Sequence, residues 1–181
     1  DHPYNWQVIG SLEDLQNATL DDVKSFFKKW YVPNNATLVL SGDIDVDQAK
    51  KWVYKYFDEI PRGDQIIPMV KRPGLLLEKK NLYYEDNFAK VPQLTMVWPS
   101  VANYHPDSYA LEVLTQYLSD GKSAPLNQVL IDELKVTSNT RMYNYSYELA
   151  GNMQLSVRAF NNVNLEKVKT GILNAFEKFE N

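Results

Sequence analysis

Hydrophobic residues recur at helical spacing in the first third of the chain. Thr19 is placed as the N-cap of a helix in which Lys24, Lys28 and Lys29 remain in water, and Pro33 ends it. Its apolar face consists of Leu20, Val23, Phe26, Phe27 and Trp30. A shorter helical turn is predicted with Ser11 as its cap. The turn Asp43 to Asp45 leads into another helix, which Asp43 or Asp45 can cap, and its apolar face is Val46, Ala49, Val53, Tyr56 and Phe57.

Helical spacing returns in the last part of the chain. One helix is predicted to begin at His105-Pro106 and to end at Gly121, since Pro suits the first turn and Gly the position after the last. A short helix over 124–134 and a last helix capped by Asn164 follow. The predicted core face of the first of these helices is Ala110, Leu111, Val113, Leu114, Tyr117 and Leu118.

Other stretches have the pattern of strands. Residues 36–42 form a short apolar run that ends at Gly42, which is typical of a buried strand. Strands are also predicted over 75–82 and 93–98. Residues 139–149 and 153–159 alternate on either side of Gly151 and predict an antiparallel hairpin.

The order of these elements predicts an α+β fold, a largely antiparallel sheet with helices packed on one face, because strands and helices do not alternate regularly. Residues 62–73 are rich in Pro and mixed polar residues and indicate a linker. We therefore expect residues 1–61 to be the C-terminal part of a first α+β unit. Residues 74–181 would form most of a second unit.

Composition narrows the classes of function. The net charge of −4, with no basic stripe, disfavours nucleic acid as a partner. No apolar run approaches the roughly 18 residues that a membrane span needs. The absence of Cys excludes disulfides, cysteine-bound zinc, iron–sulfur clusters and thiol nucleophiles. The opening residues have neither an initiator Met nor a leader pattern, so we expect a fragment of a longer chain, and both cytoplasm and periplasm suit its composition.

The search for catalytic residues yields no site. The chain has two histidines, His2 and His105, and neither has the spacing of a metal-ligand pair. His105 precedes Pro106 and suits a capping or surface role. No phosphate-binding glycine loop or serine nucleophile elbow occurs, and the paired acidic residues fall at helix ends or on wet faces. No catalytic, cofactor-binding or metal-binding residue is therefore assigned.

A run of alternate tyrosines, Tyr143, Tyr145 and Tyr147, predicts one aromatic face of a strand together with Leu149. Such a face ordinarily packs under a helix. The alternative is a surface that holds an extended peptide.

Three stretches together carry a family resemblance. The first runs from His2 to Leu15, and the second joins the Thr19 helix to Tyr31-Val32-Pro33-Asn34-Asn35-Ala36 and an apolar run ending Gly42-Asp43. The third is Gly121-Lys122-Ser123-Ala124-Pro125-Leu126, followed by a helix, the tyrosine strand and Gly151. The sequence resembles the pitrilysin/insulinase family of zinc metallopeptidases, which carry an inverted His-x-x-Glu-His signature.

The resemblance implies a non-catalytic region. In the family the zinc ligands and the general-base Glu lie upstream of the His-Pro-Tyr stretch, so none can be assigned to this chain. Zinc is implied in the parent protein, which would be a zinc-dependent endopeptidase, while this region is expected to be inactive. Its implied partners are the upstream catalytic unit, the other half of the same or a paired chain, and a polypeptide substrate enclosed in a chamber.

One departure from the family bears on substrate binding. Family halves that hold substrate carry an Arg and, seven positions on, a Tyr, and this chain has Ile131 and Ser138 at the matching positions. Neither side chain can bind a peptide carbonyl as Arg or Tyr would. Arg141 and Tyr143 lie nearby but out of alignment. The resemblance thus implies a unit from a half that lacks this pair.

Two other hypotheses stay open at this point. In the first, the parent protein is a non-peptidase structural or assembly homologue of the same family. In the second, the chain is an unrelated peptide-binding module that uses the tyrosine strand. A His-x-x-Glu-His motif upstream would separate the first hypothesis from an enzyme. A fold without helices paired on a sheet would favour the second.

Overall fold

The computed structural model describes residues 2–180, and the chain divides into two units. Unit 1 comprises Asp1–Pro68, and unit 2 comprises Met69–Asn181. The outermost residues of the predicted segments 1–61 and 74–181, Asp1 and Asn181, lie outside the described residues.

The described part of unit 1 has three α-helices whose starts are fixed by local capping, and two short 3-10 helices over Pro3–Asn5 and Pro33–Asn35. Helix α1 spans Leu12–Asn17, α2 spans Leu20–Trp30 and α3 spans Val46–Phe57. Ser11 accepts a hydrogen bond from the Asp14 amide at the start of α1. Asp45 accepts one from the Gln48 amide at 2.8 Å at the start of α3. The predicted helices of this part of the chain are confirmed.

The segment after α2 is held by two asparagines. Asn35 Nδ2 donates to the Trp30 carbonyl at 2.9 Å, which satisfies a carbonyl at the C-terminal end of the helix. The side chain of Asn34 accepts from the Gly63 amide at 2.9 Å and donates to the Asp64 carbonyl at 3.0 Å. The Pro-Asn-Asn motif therefore ties the end of unit 1 back to the end of α2.

The predicted buried strand over 36–42 is wrong. These residues have neither strand pairing nor burial, and Val39 is 78% exposed. A strand requires a hydrogen-bonded neighbour, and unit 1 has no strand among the residues that the structure describes. The apolar run alone cannot supply that neighbour.

Unit 2 contains a three-stranded antiparallel sheet in the order β1-β3-β2. Strand β1 spans Gln93–Ser100, β2 spans Thr137–Ser146 and β3 spans Gly151–Ala159. The predicted hairpin and the predicted strand before it are confirmed, and the α+β fold class with them.

Helices cover one face of this sheet. Helix α4 spans Pro106–Ser119, α5 spans Pro125–Asn127 and continues as a π-helical turn over Gln128–Glu133, and α6 spans Leu165–Glu180. One cluster of fully or nearly fully buried side chains joins these elements: Leu118, Leu126, Val129, Leu130, Val136, Met142, Leu155, Val157, Ala159, Val168, Ile172 and Ala175. Leu94, Met96 and Trp98 of β1 pack against it.

The predicted strand over 75–82 is also wrong. The segment has no strand pairing, and Leu75 and Leu77 are 88% and 94% exposed. As with residues 36–42 of unit 1, an apolar run alone predicts a strand, but the run has no neighbouring strand to pair with.

The predicted core face of α4 needs correction. Leu118 and Thr115 are buried, whereas Val113 and Tyr117 are exposed. The helix turns a stripe of Leu111, Leu114, Thr115 and Leu118 inward, which is narrower than the predicted face. Tyr117 instead contacts the ring of Phe179 on α6, at 5.6 Å between centroids.

Gly151 allows a close backbone approach at the end of the sheet. A Cβ added there would meet the Val101 carbonyl oxygen and would lie 2.7 Å from that of Tyr145. Both obstacles are backbone atoms, which cannot swing away as a side chain can. The glycine after the tyrosine strand therefore has a packing role.

Candidate functional site

The two histidines have local roles as helix caps. His2 Nδ1 accepts from the Tyr4 amide and His105 Nδ1 from the Asp107 amide, each at 3.2 Å. Residues 2–180 contain no group of three or more His, Asp or Glu that could hold a metal ion. Because zinc needs several converging nitrogen, sulfur or carboxylate ligands, the residues in this part of the chain do not fit a zinc site.

The two positions aligned with the family's substrate pair lie in different elements of secondary structure. Ile131 is in the π-helical turn and is partly buried, and Ser138 is exposed near the start of β2. Arg141 and Tyr143, which lie out of alignment, are both exposed on β2. Arg141 and Tyr143 lie on the side of the sheet opposite the helices.

The open sheet face is the side of the unit 2 sheet opposite the helices. Strand register places its side chains in three rows, because alternate residues point to the same side. The β2 row is Arg141, Tyr143 and Tyr145, the β3 row is Ser156, Gln154 and Asn152 in the same order, and the β1 row is Thr95, Val97 and Pro99. Gln93 and Arg158 extend the β1 and β3 rows at one end. These side chains are exposed or half-buried, in contrast to the buried row of Met142, Leu155 and Val157 on the other side.

Tyrosines form a continuous ladder along the β2 edge of this face. The ring centroids of Tyr143 and Tyr145 are 5.8 Å apart, and those of Tyr145 and Tyr147 are 6.5 Å apart with the rings nearly parallel at 11°. The three side chains are 50%, 40% and 48% exposed. The prediction that they share a face is confirmed, whereas packing under a helix is not what the structure has. Leu149 does not join them, since β2 ends at Ser146 and Leu149 is buried.

Two cations sit at one end of the open sheet face. Arg141 lies opposite Ser156 and Arg158 lies two residues further along β3, so the two guanidinium groups occupy a diagonal pair of positions. Arg158 Nε donates to Gln93 Oε1 at 3.0 Å. Neither arginine has an ion pair with a carboxylate among residues 2–180. Sequence reasoning missed Arg158, although the alternation from Asn152 through Gln154 and Ser156 was a signal for it.

A shallow polar groove of about 260 Å³ lies between the start of α4 and the hairpin. Its lining is Asn103, Tyr104, Ser108, Tyr109, Glu112, Asn144 and Ser146. Asn144 receives a hydrogen bond from Ser100 Oγ at 2.5 Å and donates to Ser146 Oγ at 3.1 Å. Ser108 Oγ donates to the His105 carbonyl at 2.7 Å, so the bonds of these hydroxyls and amides are those of local structure and do not pair a nucleophile with a base.

Unit 1 has a surface of a different kind, the apolar face, which consists of the exposed apolar side chains of α2: Leu20, Val23, Phe26, Phe27 and Trp30. Leu38 and Leu40 of the following segment instead line a groove of about 410 Å³ with Ala49 and Val53 of α3. Of the unit 1 residues that the structure describes, Ala49 alone is buried. Exposed patches of this composition usually mark a surface that another protein segment covers.

Comparisons with known proteins agree with the resemblance seen in the sequence. Residues 17–181 match the family model described as the peptidase M16 inactive domain. The chain is 26% identical over 182 residues to the zinc protease PqqE of Helicobacter pylori, covering 99% of this chain and 41% of PqqE. It is 34% identical over 56 residues to the non-peptidase homolog YmxG of the same organism, covering 31% of this chain and 13% of YmxG.

A solved structure supports the fold. A protease from Helicobacter pylori superposes with a TM-score of 0.68 and 24% identity, covering 98% of this chain and 43% of that chain. The chain thus spans about two fifths of the length of PqqE and of this protease. Since the family model matches nearly the whole sequence, the chain belongs to the peptidase M16 inactive-domain family.

Proposed function

We propose that this chain is a non-catalytic part of a zinc peptidase. It forms part of the wall of a chamber that encloses a polypeptide and does not contain the reaction centre. Hydrolysis would take place on a separate unit that carries a His-x-x-Glu-His motif, where zinc polarises the peptide carbonyl and activates water. The observation that carries the proposal is the set of possible zinc ligands among the described residues. The family is one of metallopeptidases, and the two histidines of this chain are committed to helix caps.

The apolar face of unit 1 is the proposed contact with that catalytic unit. Phe26, Phe27 and Trp30 are 53%, 51% and 36% exposed on one side of α2, and the segment 36–42 that follows in the chain has the sequence of a strand without a partner. A neighbouring unit that supplied a strand would satisfy the backbone of residues 36–42 and cover these rings together. The linker proposed over 62–73 would then separate a shared first unit, residues 1–61, from the second unit, residues 74–181.

Zinc retention and peptide cleavage test the proposal. The 181-residue chain is dialysed against a weak chelator, its metal content is measured, and it is incubated with an unfolded casein. We expect no stoichiometric zinc and no cleavage. The protein isolated at its natural length is expected to retain zinc and to cleave the same substrate.

Two outcomes would contradict the proposal. Stoichiometric zinc or cleavage by the 181-residue chain would move the reaction centre into it. A natural-length protein without zinc or cleavage would favour the second candidate, a non-peptidase assembly homologue, for which the 34% identity to YmxG over 56 residues is the specific observation.

A matched pair of variants tests the apolar face. Phe26→Asp is expected to weaken association with the catalytic unit, because it places a charge in a surface that must become dry. Lys24→Asp changes the charge on the polar side of the same helix and is the control. Equal effects of the two variants on association, measured by sedimentation or gel filtration, would remove α2 from the proposed contact.

A further inference from the structure

We propose that the open sheet face binds extended polypeptide segments that carry carboxylate side chains, with the peptide lying along β2. The inference rests on the proposed function, since it gives a role and a preference to a wall that faces a polypeptide. It names the chemistry of the bound segment, which neither family membership nor the fold specifies.

The shape and aromatic content of the face suit an extended chain. From Arg141 to Tyr145 the strand rises by four residues, about 13 Å, and Tyr147 just beyond its end extends the ladder to the length of a peptide of about seven residues. The tyrosine ladder borders this path with rings at 5.8 and 6.5 Å spacing. Tyrosine rings provide large contact area at low cost in side-chain entropy.

The middle row provides polar contacts beside the ladder. Asn152, Gln154 and Ser156 lie opposite Tyr145, Tyr143 and Arg141, and all three are half-buried. Amide and hydroxyl groups donate and accept, so they can bond to a peptide backbone of any sequence. Such groups give affinity without selecting side chains.

Charge selects the side chains. The three rows carry two arginines and no Asp or Glu, in a protein whose net charge is −4. Glu148, the nearest acidic residue in sequence, follows the ladder in the connection between β2 and β3, at the end away from the arginines. Arg141 and Arg158 occupy diagonal positions on the same face and lack a carboxylate partner among residues 2–180, so an incoming carboxylate gains a charge-assisted hydrogen bond.

Peptide binding to the 181-residue chain tests the inference. The probe is a neutral-dye-labelled peptide of about eight residues with Glu and Val alternating, compared with its Gln and Val counterpart by fluorescence anisotropy at low salt. Exposed ion pairs are modest, so we expect the Glu peptide to bind about three- to tenfold more tightly and the preference to shrink in 0.5 M salt.

Variants assign the effect to the face. Arg141→Gln combined with Arg158→Gln should abolish the preference for the Glu peptide, whereas Tyr143→Ser combined with Tyr145→Ser should weaken both peptides alike, about fivefold or more. Lys167→Gln on α6 and Tyr83→Ser are matched controls, since both residues are exposed and neither belongs to the three strands. Circular dichroism and thermal melting verify that each variant remains folded.

Several results would overturn the inference. Equal affinity for the two peptides, no binding of either, or equal losses in the control variants would each do so. Tighter binding of a single-stranded oligonucleotide than of the Glu peptide would reassign the face to a polyanion of another class. The zinc and cleavage results of the proposed function are independent of these measurements, because peptide binding here is measured without a catalytic unit. Failure of one is therefore distinguishable from failure of the other.

Discussion

Units 1 and 2 contain helices of similar pattern but bury them to very different extents. Helix α2 of unit 1 has an apolar stripe as clear as that of α6 in unit 2. Yet Val168, Ile172 and Ala175 of α6 are fully buried, while each apolar residue on the face of α2 is at least 36% exposed. Helical periodicity therefore identifies the apolar side of a helix. It does not say whether residues of the same unit pack against that side.

The two units also differ in what stabilises their helices. Unit 1 depends on local bonds at helix ends, such as the reciprocal pair between Thr19 and Asp22. Unit 2 depends on a shared core that long-range contacts build from both sheet and helices. Short helices are only marginally stable without packing, so the stability of unit 1 should depend mainly on its helix caps. The stability of unit 2 should depend mainly on its core.

The largest expected effect comes from the core of unit 2. Leu155→Ala should reduce the unfolding free energy of unit 2 by about 2–5 kcal/mol, because Leu155 is 0% exposed and its loss leaves a cavity. Phe26→Ala in unit 1 of the same chain should cost less than about 1 kcal/mol, since the ring is 53% exposed. Urea unfolding followed by amide NMR signals of each unit measures the two separately. Similar losses would mean that α2 has a core that its exposure does not reveal.

The comparison explains which parts of the fold were predictable. Helix starts are local, so Ser11 and Thr19 could be placed as caps from sequence alone, and the cap of α3 could be narrowed to Asp43 or Asp45. Strands depend on a partner distant in sequence. The hairpin of β2 and β3 has its partner within a few residues and was predicted, whereas 36–42 and 75–82 have none in the described chain and were predicted wrongly.

The candidate surface was predictable only in part. Alternation put Tyr143 and Tyr145 on one side of a strand, but which side the helices would cover is a tertiary property. The exposure of the tyrosines, and the gathering of Arg158 beside Arg141 through the β2–β3 register, required the structure. The Pro-Asn-Asn motif shows the same limit, since the bonds from Asn34 to residues 63 and 64 span about 30 positions of sequence.

A smaller effect separates Asp45 from Asp43. Sequence reasoning allowed either to cap α3, and the structure assigns the cap to Asp45 through its bond to the Gln48 amide at 2.8 Å. Asp45→Ala should destabilise α3 by about 1 kcal/mol. Asp43→Ala should stay within about 0.5 kcal/mol, as for other exposed surface changes. Hydrogen exchange of the α3 amides is the measurement, and equal protection in both variants would mean that the cap does not control this helix.

The smallest expected effect is a pH dependence confined to α2. Asp22 Oδ2 accepts from the Thr19 hydroxyl at 2.7 Å and from the Thr19 amide at 2.9 Å, and these two bonds lower the pKa of the Asp22 carboxyl. Because the folded state favours the carboxylate, its contribution to stability is complete above the ordinary pKa of an aspartate. It is lost as the pH falls through the lowered value.

Asp22→Asn isolates this contribution, since the amide oxygen still accepts a hydrogen bond but does not titrate. The wild-type α2 amides should lose protection on acidification more steeply than those of Asp22→Asn, measured by hydrogen exchange between neutral pH and acid. Asp21→Asn removes a charge from the same turn without touching the capping bonds and should keep the wild-type profile. Because Asp22 is exposed and water screens its charge, the difference should be small and should not extend to α6. An equal change in α6 would show that acid acts on the whole chain, and that the caps of unit 1 are not the local control that separates it from unit 2.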